Sequence, residues 1–519
     1  MLIRGAIVER PQQRLAVFGS LEWSMRGRII LVLTLVAILV ASTQTNAQQQ
    51  LGQELEQRAP IRPGERPAIP LDTEDPSYNT WRTLRDFSDD NREPGLINVQ
   101  KYDVGMSWFG IPTFFHKPIA LTPEDLRAGK VEVAVLGAYT DMGTGMRGAA
   151  HGPAAFRNSE VYGGWGPYAD TPNMTTMIDP MQDLVIADYG DAPIDMMSTE
   201  RSLHAIRDFV RSAVEVEYAP GKHVMPVIIG GDHSLMYSDV AALTDVYGVG
   251  NVGVVHFDAH YDAGKYGYGH LINHGMPVYR LMEEGLVDGP NFIQVGLRGY
   301  YPGKDTFEWM REEGMRYHAM AEIERDGWDT VMERVIAEAN DGPEYLFISF
   351  DIDTIDPAFV PGTGTPEPGG LLPREAFPIV RRLCAESNVV GFELVELNPL
   401  VDQTYVSAMV GNRVVRECLT GVAMRKRGLT DPHYISPLAA EHSTFVGDLP
   451  EEISEDDRVV PAARTADPIF GPPSQGPNVV GAMFVAFLFG VVLTVAVGFS
   501  YRLGRSNERA SRTAAVRER

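Results

Sequence analysis

A three-layer α/β/α sandwich on a parallel sheet of about eight strands is the fold the sequence predicts. Three observations lead there. Short apolar runs alternate with helical patterns through the middle of the chain. Each run is continuous rather than alternating, as expected for strands covered on both faces. Acidic and imidazole side chains gather just after several of the runs, at the strand edge where open α/β sheets bind ligands.

In order, the runs are "VEVAVLG" (131–137), "LVIADYG" (184–190), "VMPVIIGG" (224–231), "VGVVHFD" (252–258), "FIQVGLR" (292–298), "MRYHAM" (315–320), "LFISFD" (346–351) and "VVGFELVEL" (389–397). The third ends in "GGDHS", which supplies His233. The fourth ends in "FDAHYD", where Asp258, His260 and Asp262 occupy every second position, and the seventh in "SFDIDTIDP", with Asp351 and Asp353 at the same spacing. In extended chain, side chains at i, i+2 and i+4 point the same way, so each set converges. Four carboxylates packed together without a counter-charge repel and shift toward protonation. Two divalent cations cancel that charge. Oxygen-rich coordination with some imidazole and no thiolate suits Mn²⁺, with Zn²⁺ or another divalent ion as the competitor. Two such ions about 3.5–4 Å apart can share a water and lower its pKa, which points to metal-assisted hydrolysis.

Composition narrows the partners. The 519 residues carry a formal net charge of −24, with 44% hydrophobic and 22% charged residues. Such a chain buries a sizeable core, and its acidity argues against nucleic acid and for a small or cationic substrate. Residues 1–47 read as an N-terminal extension and secretory signal: a basic start at Met25, an apolar stretch from Ile29 to Val40, and small residues at Thr45-Asn46-Ala47. Met25 is itself a candidate start. Residues 48–100 read as a linker and wrapping arm, 101–427 as the catalytic domain, and 428–477 as a Pro-rich acidic stalk. Residues 478–501 form an uncharged span long enough to cross a bilayer. The tail at 502–519 holds Arg502, Arg505, Arg509, Arg512, Arg517 and Arg519, which makes it cytoplasmic by the positive-inside rule. The expectation is an exported domain anchored by its C-terminus, periplasmic in a bacterium.

"GGDHS", "FDAHYD", "SFDIDTIDP" and the following "ELVELNP", with "FGIPTFFHKPI" and "GMRGAAHGPAAFR" nearer the start, resemble the signature blocks of the ureohydrolases, the arginase and agmatinase family. The resemblance covers roughly residues 100–425. It implies two Mn²⁺ ions and a homo-oligomer, a trimer or hexamer. By the same likeness His233, Asp258, Asp262 and Asp351 hold one ion, and His260, Asp258, Asp351 and Asp353 the other. Glu396 would accept hydrogen bonds from a guanidinium, whose planar fork a carboxylate matches, and His274 would shuttle protons. Arginases carry an Asn- and Ser-rich loop that grips the amino-acid end of arginine; here that loop is "AGKYGYGHLIN" (263–273), which speaks against a free α-amino acid, while the "FGIPTF" and "FELVELNP" blocks are similar to those of agmatinases and the acidic charge suits agmatine. Lys265 in that loop suits a guanidino acid such as guanidinobutyrate; guanidine and arginine remain further alternatives. Two rival classes are a non-catalytic guanidino-binding protein on this fold and a deacetylase-like hydrolase with one Zn²⁺.

Three neighbours are read as supporting residues. His256 shares the parity of Asp258 and is assigned to the core ahead of a role behind the site. Asp232 caps or orients, and Asp356 shapes a turn before a proline. Cys384 and Cys418 are the only cysteines, each within a helical pattern; in an exported chain they could pair, but spacing alone cannot place them within bridging distance, and they are read as buried thiols.

Overall fold

All eight apolar runs form strands of one parallel sheet: β1 (Val133–Gly137), β2 (Ile186–Asp191), β3 (Met225–Ile229), β4 (Val252–Phe257), β5 (Phe292–Val295), β6 (Arg316–His318), β7 (Tyr345–Asp351) and β8 (Val389–Val395). The computed structural model describes residues 79–440 except 88–89, 102–109, 160–170 and 268. The strand order across the sheet is β2-β1-β3-β8-β7-β4-β5-β6. Every neighbouring pair is parallel.

The longer helices are α1 (Thr199–Val214), α2 (Leu235–Tyr247), α3 (Lys304–Glu312), α4 (Trp328–Asn340), α5 (Pro373–Glu386) and α6 (Val406–Lys426). They cover both faces, which is why the strands could be apolar throughout. On one face α1, α2 and Met310 of α3 pack with Ala134, Leu136, Ile228 and Val254. On the other, α4, α5 and α6 pack with Val133, Val135, Val227 and Val255. Successive residues of one strand thus feed opposite layers, as the two-residue pleat requires. α2 is buried on all sides from Leu235 to Thr244, so it shows no amphipathic stripe.

One element had no counterpart in the sequence reading: an antiparallel hairpin, Glu217–Ala219 with Lys222–His223, lies outside the main sheet. Its strands are too short for a period-two signal.

The N-terminal arm is tied to the domain where it is described. Ile97 and Ile119 form an antiparallel bridge, and Arg92 pairs bidentately with the buried Asp125, whose carboxyl is held well below its ordinary range as that pairing overcomes the cost of burial. At the other end, residues 428–440, placed in the stalk by composition, lie against the domain: Leu429 and Tyr434 pack on the core, and the Ser436 amide donates to the Thr175 carbonyl. Two apolar side chains among prolines and charges are enough to dock this stretch, and composition averages them away. Among the described residues no helix is long and apolar enough to cross a membrane. The signal segment, residues 441–477 of the stalk, the 478–501 span and the arginine tail lie outside the described residues.

Candidate metal centre

The four strands that carry the predicted site residues, β3, β8, β7 and β4, are adjacent at the middle of the sheet. Phe257 of β4 is level with Phe350 of β7, so Asp258 and Asp351 follow side by side. Val395 of β8 is level with Asp351, which brings Glu396 to the same edge. From β3 the chain turns through Gly230 and Gly231 into His233. A Cβ on Gly231 would lie 1.7 Å from the Thr140 carbonyl oxygen, so only glycine lets the two backbones cross here.

The six residues predicted to bind metal converge. The Nδ1 of His233 lies 3.1 Å from Oδ2 of Asp258, 3.1 Å from Oδ2 of Asp262 and 3.1 Å from Oδ2 of Asp351. The Nδ1 of His260 lies 3.3 Å from Oδ1 of Asp258 and 3.0 Å from Oδ2 of Asp353. Asp258 therefore stands between two clusters, one oxygen toward each. Despite these approaches, His233 Nδ1 and Asp258 Oδ2 are buried and make no aligned hydrogen bond. Ligand atoms drawn to a common point without bonding one another are what a cation between them produces, so the donor set fits two divalent ions.

Charge supports the same reading. Burial pushes the Asp351 and Asp353 carboxyls up, and their neighbours' charges add to it: Asp353 and Asp258 on the first, Asp258 on the second. Burial also opposes ionisation of Asp258, but His233, His256 and His260 hold it well below the ordinary range. For His233 and His260, the facing carboxylates overcome burial and raise both imidazoles. The centre is an excess of negative charge held in a dry place.

Glu396 adopts φ 60°, a left-handed turn that swings its carboxylate under His233. Its Oε1 accepts from the His233 amide at 3.0 Å and lies 3.2 Å from His274 Nδ1. Its Oε2 is buried without a hydrogen-bond partner. Burial depresses the His274 imidazole, but the bond to Glu396 and the charges of Glu396, Asp262 and Asp232 outweigh it and lift the pKa to about 9. In the metal-free protein this favours the protonated ring, whose contribution to stability is complete below about 6.5 and is lost as pH rises through about 9. A histidine NMR titration of metal-free protein is expected to find His274 near 9. The same titration of Glu396→Gln should bring it back toward the ordinary value; an unchanged value would show that Glu396 does not hold the ring.

His256 is buried, as expected of a core residue, but its Nε2 lies 3.0 Å from Asp258 Oδ2 and its Nδ1 3.0 Å from the Gln294 amide nitrogen. It reaches one carboxylate of the cluster, whereas His233 reaches three, and with His233, Asp258 and Asp262 it forms a group whose ligand atoms lie within 4.8 Å of one another, so it stands at the metal centre beside the predicted ligands. Asp232 accepts from the Gly143 and Ser234 amides and the Ser234 hydroxyl, which shapes the loop. Asp356 accepts from the amides of Ala358, Gly369 and Gly370.

Several supporting residues escaped the sequence reading. Ser349 Oγ meets His233 Nε2 at 2.8 Å and fixes the ring so that Nδ1 faces the carboxylates. Its position two residues before Asp351 was a usable signal. Behind His233 lie two more buried carboxyls, Asp239 on α2 and Glu393 on β8; burial pushes both up, and Glu393 adds to the shift of Asp239. Arg298 donates to the carbonyls of Gly296, Asp353, Thr354, Glu367 and Pro368, lacing the loop after β5 to the Asp353 turn. Arg280, buried, donates to the carbonyls of Leu271 and Lys265 and pairs with Glu283, holding the 263–273 loop. Nothing in a lone arginine's sequence context announces such a role.

Comparison with known proteins gives the same picture. The arginase family model matches residues 131–421. A guanidinobutyrase of Pseudomonas aeruginosa is 36% identical over 313 residues, 60% of this chain and 92% of that protein. A mitochondrial agmatinase of Gallus gallus is 34% identical over 311 residues, 60% of this chain and 85% of its own. Among solved structures, the proclavaminate amidinohydrolase of Streptomyces clavuligerus superposes with a TM-score of 0.53 at 28% identity, covering 62% of this chain and all (100%) of that one. With its family model spanning the sheet from before β1 into α6, and every predicted ligand at the edge of the central strands, this chain belongs to the arginase family and is a ureohydrolase of guanidino compounds.

Proposed function

We propose that the chain cleaves agmatine to urea and an amine, with Glu396 holding the guanidinium and His274 supplying the proton. The observation that carries this reading is Glu396 itself: one carboxylate oxygen tied down by the His233 amide, the other buried and unpaired beside the metal centre. A buried, oriented carboxylate recognises the guanidinium fork through charge-assisted hydrogen bonds. His233, Asp258, Asp262 and Asp351 would hold one divalent cation, and His260, Asp258, Asp351 and Asp353 the second. Bound there, the pair of cations, Mn²⁺ in our assignment, supplies the charge that makes water acidic enough to attack at neutral pH. The water oxygen joins the guanidino carbon, the bond from that carbon to the alkyl-bearing nitrogen breaks, and the leaving amine takes a proton from His274. The proximity of His274 to Glu396 keeps that proton in place until the leaving nitrogen becomes basic.

The "AGKYGYGHLIN" loop speaks against a free α-amino acid, and the "FGIPTF" and "FELVELNP" blocks with the net charge of −24 support agmatine, whose two ends are both cationic. A second reading, guanidinobutyrate, is favoured by the 36% identity to a guanidinobutyrase and by Lys265, whose ammonium lies 5.7 Å from the centre of the Tyr279 ring. Urea release from agmatine, guanidinobutyrate, arginine and guanidine, measured with Mn²⁺-loaded protein, separates them. Highest kcat/KM on agmatine is the expected outcome; a preference for guanidinobutyrate replaces the first reading by the second, and no urea from any of the four overturns the catalytic assignment.

We also propose that the domain works outside the cytoplasm, anchored by the 478–501 span, as a trimer or hexamer. The apolar signal, the uncharged span and the arginine tail support the topology. Protease added to intact spheroplasts is expected to remove the domain and spare the tail; protection of the domain overturns this. Light scattering on detergent-solubilised protein reads the assembly size.

A further inference from the structure

We propose that Cys384 and Cys418 are a disulfide-forming pair that closes by exchange with an external disulfide and clamps α5 to α6. They are the only cysteines in the 519-residue chain, 34 positions apart, and the fold brings their Sγ atoms to 2.8 Å with both side chains fully buried. No third thiol competes for either partner.

The approach is built into the helices. Gly421 lies three residues after Cys418 on α6, and a Cβ placed on it would be 2.7 Å from Cys384 Cβ and 2.2 Å from the Arg381 carbonyl oxygen. The glycine lets the backbone of α6 rest directly on α5 beside Cys384, the close approach that bringing the two Sγ atoms together needs. Both thiols belong to the same buried apolar cluster as Ile379, Val380, Leu383, Val415 and Leu419. Burial raises the Cys384 thiol well above its ordinary value, so the reactive thiolate is scarce in the closed fold. Oxidation therefore takes place as the helices dock or when they part.

The chemistry balances as thiol–disulfide exchange. One cysteine thiolate attacks the external disulfide, forming a mixed disulfide and releasing one external thiol. The second cysteine thiolate then attacks the mixed disulfide at the cysteine sulfur, forming the intramolecular bond and releasing the second external thiol. Two cysteines are oxidised and one external disulfide is reduced to two thiols, which take up the two protons the cysteines give up. The bond would close the segment 384–418, which contains β8 and Glu396, so it ties together both ends of the stretch that presents the guanidinium anchor. This inference stands apart from the substrate and the topology proposed above.

The test uses the purified full chain in detergent, equilibrated with a series of reduced and oxidised glutathione mixtures in urea just below its unfolding midpoint, then acid-quenched and alkylated. The expected result is a species lighter by two hydrogens that takes no alkyl group until it is reduced, with a Tm about 5 °C above that of the dithiol. Cys384→Ser and Cys418→Ser should each give instead one alkyl group or one glutathione adduct, and the Cys384→Ala/Cys418→Ala double variant should show no Tm response to the redox buffer. Two alkyl groups at every ratio, glutathione adducts on both cysteines, or a cross-linked form that melts below the dithiol would each overturn the proposal.

Discussion

Asp258→Asn and Asp351→Asn are expected to lose both bound ions and nearly all urea release. Each carboxylate is assigned to both ions. Asp258 directs one oxygen at the His233 group and the other at the His260 group, and Asp351 approaches His233 while its second oxygen accepts from the Asp353 amide at 2.8 Å. Asparagine keeps the shape and that amide bond but removes a shared charge. The loss should exceed the roughly 10–100-fold drop typical of removing an outer partner of a metal ligand, and it should exceed that of His233→Asn, which serves one ion. Metal analysis of each purified variant decides the matter: two ions retained in Asp351→Asn with turnover intact would remove the assignment. The same substitution has an opposite effect on the metal-free protein. Because Asp351 is pushed up by burial and by Asp353 and Asp258, asparagine relieves repulsion there, and the metal-free variant should melt no lower than metal-free wild type. Lower affinity with undiminished apo stability is the paired signature of a site built for charge rather than for folding.

The second large effect separates recognition from metal binding. Glu396→Gln can still accept from the His233 amide, so the turn at φ 60° and both ions should survive. What goes is the negative charge facing the guanidinium and the cationic state of His274. Losing a buried charge-assisted pair costs roughly 2–4 kcal/mol, about 30- to 1000-fold in kcat/KM. Metal analysis should read two ions per chain while urea release collapses. Normal hydrolysis by this variant would mean that the guanidinium is anchored elsewhere.

The sheet and the ligand set were legible because both rest on strict periodicities. Continuous apolar runs register as strands, and alternating Asp and His after them register as one face. Glu396 was visible through its block resemblance but not through periodicity, since it leaves β8 in a left-handed turn that no alternation encodes. Arg298, Arg280 and Glu393 were invisible for a different reason: Arg280 reaches back to the carbonyls of Leu271 and Lys265, Arg298 reaches forward to those of Asp353 and Glu367, and Glu393 lies 3.7 Å from His233 on a distant strand, and pairing of this kind leaves no local pattern. His256 was half-read, because burial and contact with Asp258 are both consequences of its parity. The docked stretch after Gly428 was misjudged by composition, which counts prolines and acids but not the two apolar anchors among them.

The strand order carries a consequence for how the protein is made. β7 and β8 come last in sequence but sit at the centre of the sheet, between β3 and β4. Until the ribosome has delivered the chain through residue 395, the growing sheet has a gap where two of the six ligands, Asp351 and Asp353, belong, and its two flanking parts present unpaired inner edges. Closing such a gap relies on long-range parallel pairing, the slowest and most aggregation-exposed step in folding. Cation capture is then necessarily one of the last events of biogenesis, and a nascent chain stalled before β7 has neither a complete sheet nor a place for the ions.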